Sequence, residues 1–195
     1  MYKRVTLKDV VEVPPQALAS VTPEMVRQLL QDKLEGRMDE EVGSVVSVVE
    51  VHDIGEGVVL PEQQYHEGSV FYEAEFDAIT YDPEMQEVVD GIVVEVVEFG
   101  AFVGIGPVDG LLHVSQISDE YLAYDGENQR LSSTESDQAL GVEDSVRTRI
   151  VTKSIDERNP RDSKIGLTAK QIALGKHEWL ESDRRRREQQ AAEGD

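Results

Sequence analysis

Between Glu87 and Lys170 the sequence is cut by glycines into short apolar runs, none long enough for a helix of ordinary length. GIVVEVVEF, AFVGIG, GLLHVS, SVRTRIVTKSI and SKIGLTA are five β-like segments, and five short strands with turn signals between them predict a small closed or partly open barrel. A polar stretch from Asp119 to Asp144 interrupts the series. Its DGENQRLSSTESDQ portion is poor in hydrophobic residues and is expected to be a mobile loop.

The preceding residues have a different texture. Residues 1–13 read as a strand stopped by Pro14-Pro15. Thr22-Pro23-Glu24 is a helix start, with a hydroxyl cap, proline in the first turn and an acid behind it. Val26, Leu29, Leu30 and Leu34 then keep helical spacing up to Gly36. In VGSVVSVVEVHDIGEGVVLP two valine-rich runs are expected on either side of a Gly55-Glu56-Gly57 turn, and FYEAEFDAITY (71–81) alternates as a half-buried strand does. One helix on several strands, ended by Asp82-Pro83, makes a small α+β unit ahead of the all-β barrel. At the other end, Trp179-Leu180 is expected to form a short helical turn that packs back, with a frayed charged tail beyond it. The Arg184–Arg187 run reads as solvated.

The charge is unusual in sign. Against 40 acidic residues there are 19 basic ones, a formal net charge of -21 over 195 residues. Such a balance ordinarily argues against nucleic acid, because phosphate neutralisation supplies most non-specific affinity. At molar salt the Debye length falls to about 3 Å, and repulsion beyond contact distance is lost. In a salt-filled cytoplasm an acidic chain could therefore hold RNA by stacking and short hydrogen bonds; the alternative is simply a very soluble acidic protein. Cysteine is absent, excluding disulfides and thiolate metal sites. No apolar run approaches the roughly 20 residues that span a bilayer, and the N-terminus is too polar for a signal peptide, so a cytoplasmic protein without membrane association is expected.

Strand alternation places candidate binding residues. In the first barrel strand Ile92, Val94 and Val96 are expected on one face, and Val93, Glu95, Val97 and Phe99 on the other. Phe102 shares a face with Gly104, opposite Val103 and Ile105, while His113 and Leu111 lie opposite Leu112. In the fourth strand Arg147, Arg149 and Lys153 are expected to form a stripe opposite Val146, Thr148 and Ile150. The charge count sharpens this: residues 82–145 hold 15 acids and one base, whereas residues 146–170 hold three acids and seven bases, a local +4. Aromatic rings beside cations are what an unpaired nucleic-acid strand needs, since any base stacks on a ring while cations meet phosphates. The competing reading puts Phe99 and Phe102 in the core and leaves the stripe as an ordinary solvated face; pattern alone favours neither.

The residues carry a family likeness. GIVVEVVEFGAFVGIGPVDGLLHVSQIS, followed by VRTRIVTKSID and KIGLTAKQ, resembles the S-one RNA-binding domain, an OB-fold. The resemblance implies an RNA face formed by Phe99, Phe102, His113, Arg147, Arg149 and Lys164, to which the basic stripe adds Lys153, and the 119–144 insertion departs from the minimal domain. MYKRVTLKDVVEVPP, HDIGEGVVLP, the Tyr65-His66-Glu67 region and LGKHEWL extend the likeness to the E-prime family of archaeal RNA polymerase subunits, similar to the seventh subunit of eukaryotic RNA polymerase II. That resemblance implies an α+β truncated RNP-like tip domain (1–81) docking on the polymerase, an all-β OB-fold barrel (82–172) and a charged tail (173–195). It further implies a stalk heterodimer with a smaller, helical, F-like polymerase subunit, contact with nascent single-stranded RNA, and, with the acidic composition, a salt-loving archaeon.

Other fragments carry less. Gly104, Gly106 and Gly110 imitate a nucleotide loop, but with the wrong third spacing and no helix after it. His52-Asp53 is half a metal site at most, His66 and His177 are isolated, and no nucleophile–base set or singular carboxylate pair stands out. No cofactor, metal site or catalytic residue is expected, and the alternative function is an RNA-binding translation or RNA-decay factor using the same barrel.

Overall fold

The computed structural model describes residues 1–59, 68–155 and 164–193, which form two compact units, Met1–Asp82 and the chain from Pro83 onward. In the first, β1 (Tyr2–Val13) precedes α1 (Pro23–Leu34), β2 (Met38–Asp39), β3 (Gly43–Ile54) and β4 (Val70–Tyr81). The sheet is antiparallel in the order β1-β4-β3-β2, with β1 and β4 in register over their whole length. The helix starts as its sequence dictates: Thr22 accepts a hydrogen bond from the Met25 N–H at 3.3 Å, and Pro23 occupies the first turn. Val26 and Leu30 are fully buried against Val11, Val13, Val48, Ala74 and Phe76, which supply the core of this unit.

One expectation fails here. Residues 55–58 do not turn back on β3. The Gly55 N–H donates to the Glu73 carbonyl at 2.8 Å, and Val58 bridges Phe71, so the segment runs on beside β4. A β-carbon at Gly57 would lie 2.7 Å from the Val70 side chain and 2.8 Å from the Tyr72 ring, a closeness that requires glycine. The Tyr65-His66-Glu67 region lies outside the described residues.

On the same sheet His52, within β3, places Nε2 3.1 Å from Asp77 Oδ1. Thr6 Oγ1 donates to Asp77 at 2.7 Å, and Arg4 donates from Nε at 2.8 Å. These bonds, that from Thr6 foremost and then those from Arg4 and His52, lower the Asp77 carboxyl from 3.8 to about 2. A depressed carboxylate stabilises the fold above its unfolded pKa, and that contribution disappears as pH falls through the folded value. The melting temperature of the native chain should therefore exceed that of Asp77→Asn at neutral pH, with the gap closing between about pH 4 and about pH 2. Thermal melts of both chains across that window test this; a gap that stays constant refutes it.

The second unit contains β5 (Val88–Val97), β6 (Gly100–Gly104), β7 (Asp109–His113), β8 (Leu122–Asp125), β9 (Arg130–Ser133), β10 (Ala139–Gly141), β11 (Ser145–Ser154), β12 (Lys164–Thr168), β13 (Gly175–Lys176) and α2 (His177–Glu193). The ladder β12-β7-β6-β5-β11 closes on itself through a β11–β12 pairing, giving a five-stranded barrel of the OB type. Val93, Val96, Val103, Leu112, Val146, Ile150 and Leu167 fill it.

Three expectations are corrected in this unit. A register shift between Val93 and Glu95 makes Val94 a β-bulge, so Val93 and Val96 both point inward while Ile92 and Val94 stand 53% and 48% exposed. The 119–144 stretch is a three-stranded meander, β10-β9-β8, whose Leu122, Leu131 and Leu140 enter the barrel core. The tail is a helix. Its Arg, Glu, Gln and Ala residues are good helix formers, Arg184 pairs with Glu188 at 2.9 Å, and Trp179 packs on the barrel core. Among the described residues no helix is long and apolar enough to cross a membrane.

Candidate nucleic-acid interface

The outer surface of the barrel carries a continuous row of cross-strand partners: Glu95, Phe102, Leu111, Gly166 and Thr152, from β5 through β6, β7 and β12 to β11. Its inward neighbours Ala101, Val103 and Leu112 are fully buried, which turns Phe102 and Leu111 outward. Gly166 adds no side chain to the row, and the Thr152 side chain on the adjoining strand leans over it. A β-carbon at that position would lie 2.2 Å from Thr152 Oγ1.

Phe99 sits in the turn between β5 and β6 and is 50% exposed. Its ring meets Phe102 edge to face, with centroids 6.4 Å apart and planes at 85°. The Val114 N–H donates to the Phe99 carbonyl at 2.9 Å, fixing the turn on the end of β7. The two rings are thus surface groups, and the reading that buries both in the core is set aside.

His113 is exposed at the end of β7, opposite Gly100. Its Nδ1 accepts from the Ser115 N–H at 3.2 Å and lies 2.8 Å from Ser115 Oγ. Acceptance at Nδ1 puts the proton of a neutral ring on Nε2, so this edge is a ready donor. Lys164 is exposed on β12, two residues before Gly166, and supplies a cation on the opposite side of the row from His113.

The arginines are placed differently from the expected stripe. Val146, Thr148 and Ile150 do face inward and Arg147 and Arg149 outward, but a bulge between Ile150 and Thr152 interrupts the period. Lys153 consequently pairs with the buried Ile165, on the other parity from the arginines. The aromatic row meets β11 at Thr152, so Arg149 and Arg147 lie three and five residues away, about 10 and 16 Å along the strand. Arg147 forks onto Asp90 at 2.8 and 3.1 Å, and His177 Nε2 reaches the same carboxylate at 3.1 Å. Arg147 is the main cause holding the Asp90 carboxyl below its usual range. Arg149 donates Nη1 to the Gln86 carbonyl at 3.2 Å, with its Nε buried. Both guanidinium groups are tied to β5 and the turn before it. Of the locally basic sector, residues 156–163, including Arg158 and Arg161, lie outside the described residues.

Sequence reasoning passed over Tyr121 and Tyr124, because it treated their segment as a loop. The regular spacing of Leu122, Leu131 and Leu140, nine residues apart, was the available signal that the stretch is anchored. Among the described residues no cluster of three or more acids and histidines could hold a metal ion.

Comparison with known proteins covers both units. Residues 82–163 match the S1 RNA binding domain, and residues 8–63 match the SHS2 domain found in the N terminus of Rpb7p/Rpc25p/MJ0397. The DNA-directed RNA polymerase subunit Rpo7 of Saccharolobus solfataricus is 34% identical over 182 residues, spanning 92% of this chain and 97% of that protein. Its counterpart from Sulfolobus acidocaldarius is 33% identical over 184 residues, 94% and 97% of the two chains. A polyribonucleotide nucleotidyltransferase of Bradyrhizobium sp. is 37% identical over 99 residues, half of this chain but 13% of that protein. Similarity spread over nearly the whole of both chains, with a matching family at each end, makes this chain a member of the Rpo7 family of DNA-directed RNA polymerase subunits.

Proposed function

We propose that this chain is a non-catalytic subunit of a DNA-directed RNA polymerase that holds nascent single-stranded RNA on the outer face of its barrel. Residues 1–81 dock on the polymerase core together with a smaller, helical, F-like partner, forming a stalk heterodimer. Residues 82–172 bind RNA, and the 173–195 segment follows them. The net charge of -21 suits a salt-rich cytoplasm, where contact by stacking outlasts contact by charge.

The observation that carries the RNA reading is the pair Phe99–Phe102, one ring half exposed and both turned outward beside Leu111. Bases stack on such rings without regard to sequence. His113 supplies a donor and Lys164 a cation within the same surface, whereas Lys153, opposite the buried Ile165, falls outside it. Arg147 and Arg149, tied up in contacts of their own, contribute to the barrel more than to the RNA. The likeness to a polyribonucleotide nucleotidyltransferase favours a decay factor as the second reading, but it covers half of this chain and 13% of that protein, whereas the Rpo7 likeness spans nearly all of both chains.

Phe99→Ala combined with Phe102→Ala should weaken binding of an unstructured RNA about five- to a hundredfold, the loss of about one stacked base. Binding by the native chain should fall only shallowly with salt, since few phosphates are contacted. Fluorescence anisotropy with a labelled oligouridine over a salt series measures both. Unchanged affinity in the double variant, or a salt slope like that of a protein with many phosphate contacts, would refute the RNA reading. Co-purification from the native source separates the polymerase reading, which requires core subunits and a small helical chain, from one requiring ribosomes or nucleases.

A further inference from the structure

Strand β8 and the residues just ahead of it line a cleft of about 690 Å³, whose lining also includes Glu98 and Ser115, neighbours of Phe99 and His113. Glu98, next to Phe99 in the chain, is part of that lining, and so is Ser115, bonded to His113. Tyr121, just ahead of β8, and Tyr124, within it, also line the cleft and are 70% and 41% exposed. Neither tyrosine side chain has a hydrogen-bond partner among the described residues. The Tyr124 ring rests over Gly126, where a β-carbon would stand 3.3 Å from Cε1, so the ring is braced from below.

The charges around these rings limit what can enter. Lys170 is paired with Asp119 at 3.0 Å. Glu120 accepts from Ser133 and Ser136 Oγ, the latter at 2.6 Å. Glu98 has no hydrogen-bond or ion-pair partner among the described residues. Three carboxylates against one lysine disfavour a phosphate inside the cleft. A flat group whose edge carries N–H donors suits it: the rings take its face and a carboxylate takes its edge.

We propose that this cleft is a second base subsite, in which an unpaired nucleobase from the RNA on the Phe99–Phe102 face stacks on Tyr121 or Tyr124 and donates to Glu98. It rests on the RNA reading of that face. Guanine is the best fit, because its N1–H and N2–H₂ form a donor fork matching a carboxylate, whereas uracil offers a single imino donor. The subsite therefore adds a base preference to a face that has none, and the backbone of the strand stays outside among water and salt.

The experiment uses the full chain at high salt and labelled oligonucleotides of about 4 and about 12 nucleotides, the range one OB barrel accommodates. The longer one is made both as oligouridine and with guanosine at alternate positions. The native chain should bind the guanosine-bearing long oligonucleotide about tenfold more tightly than the short one, the worth of one further stacked base. Tyr121→Ala with Tyr124→Ala should lose that gain and keep the short oligonucleotide, whereas Tyr121→Phe with Tyr124→Phe should keep both. Glu98→Gln should remove the preference for guanosine. Thermal melts followed at Trp179 establish that each variant is folded. If the tyrosine-to-alanine pair keeps the gain while Phe99→Ala with Phe102→Ala weakens binding of both lengths about five- to a hundredfold, the subsite is wrong and the RNA face stands; the cleft would then suit a cationic protein side chain. If Phe99→Ala with Phe102→Ala changes binding of neither length, the RNA face itself fails, and the subsite with it.

Discussion

Leu131→Ala is expected to destabilise the barrel by about 2–5 kcal/mol, although the residue belongs to a stretch whose composition is that of a loop. Leu131 has no exposed surface and packs in the same cluster as Val93, Leu112 and Ile150. Its truncation removes a buried side chain and leaves a cavity that the surrounding strands fill only in part. Leu122 and Leu140 enter the same core from β8 and β10, so the meander is a part of the barrel's packing and not a decoration on it. The chain has one tryptophan, Trp179, packed against this core, so its fluorescence reports barrel unfolding separately from the first unit. Urea unfolding of Leu131→Ala followed by that fluorescence is the measurement. A loss within a few tenths of a kcal/mol, as for an exposed loop residue, would contradict the packing.

What could be read from the sequence divides along physical lines. Helix α1 was legible because its signals are local: a hydroxyl, a proline, a 3.6-residue apolar period and a glycine stop. The faces of β6 and β7 were legible because those strands alternate without interruption. β5 and β11 were not, because each contains a bulge, at Val94 and at Val151. A bulge depends on how two neighbouring strands must coil to close a barrel, and nothing within a run of valines marks the residue that is skipped. One skipped residue reverses every later face. That is how Val93 and Val96, expected on opposite faces, both point inward, and how Lys153 left the expected arginine stripe. Pairing partners were equally invisible: Asp90 and Arg147 are far apart in the chain, and only the β5–β11 register sets them opposite each other. The aromatic pair survived these errors because Phe102 alternates with the buried Ala101 and Val103 inside β6, and Phe99 sits in the turn after β5, where strand parity no longer decides exposure.

Gly100→Ala should be still more damaging, and it connects the fold to the aromatic face. Gly100 has φ +156°, a backbone conformation that residues with a β-carbon rarely adopt. A β-carbon there would lie 2.4 Å from the Leu112 carbonyl oxygen and 2.9 Å from the His113 Cα. Both obstacles are backbone of the adjoining strand, held by the β6–β7 ladder and by the Val114 N–H bond to Phe99, so neither can swing aside as a side chain could. Backbone strain of about 1–3 kcal/mol and overpacking of about 1–3 kcal/mol then act together, for a loss of about 2–6 kcal/mol. Gly104→Ala is the matched control in the same strand. Its β-carbon would meet Val94 Cγ1 at 3.3 Å and Asp109 Oδ1 at 3.5 Å, both side-chain atoms with room to shift, and should cost less than about 1 kcal/mol. Equal losses in the two variants would mean that the close approach of β6 to β7 does not constrain the turn. If the losses differ as expected, any Gly100→Ala protein that still folds has relieved the clash by moving the turn away from β7. That movement carries Phe99 out of its edge-to-face contact with Phe102, so RNA affinity should fall in Gly100→Ala and hold in Gly104→Ala. Stability and RNA affinity would then share one cause, the absence of a side chain at the point where the aromatic turn crosses the neighbouring strand.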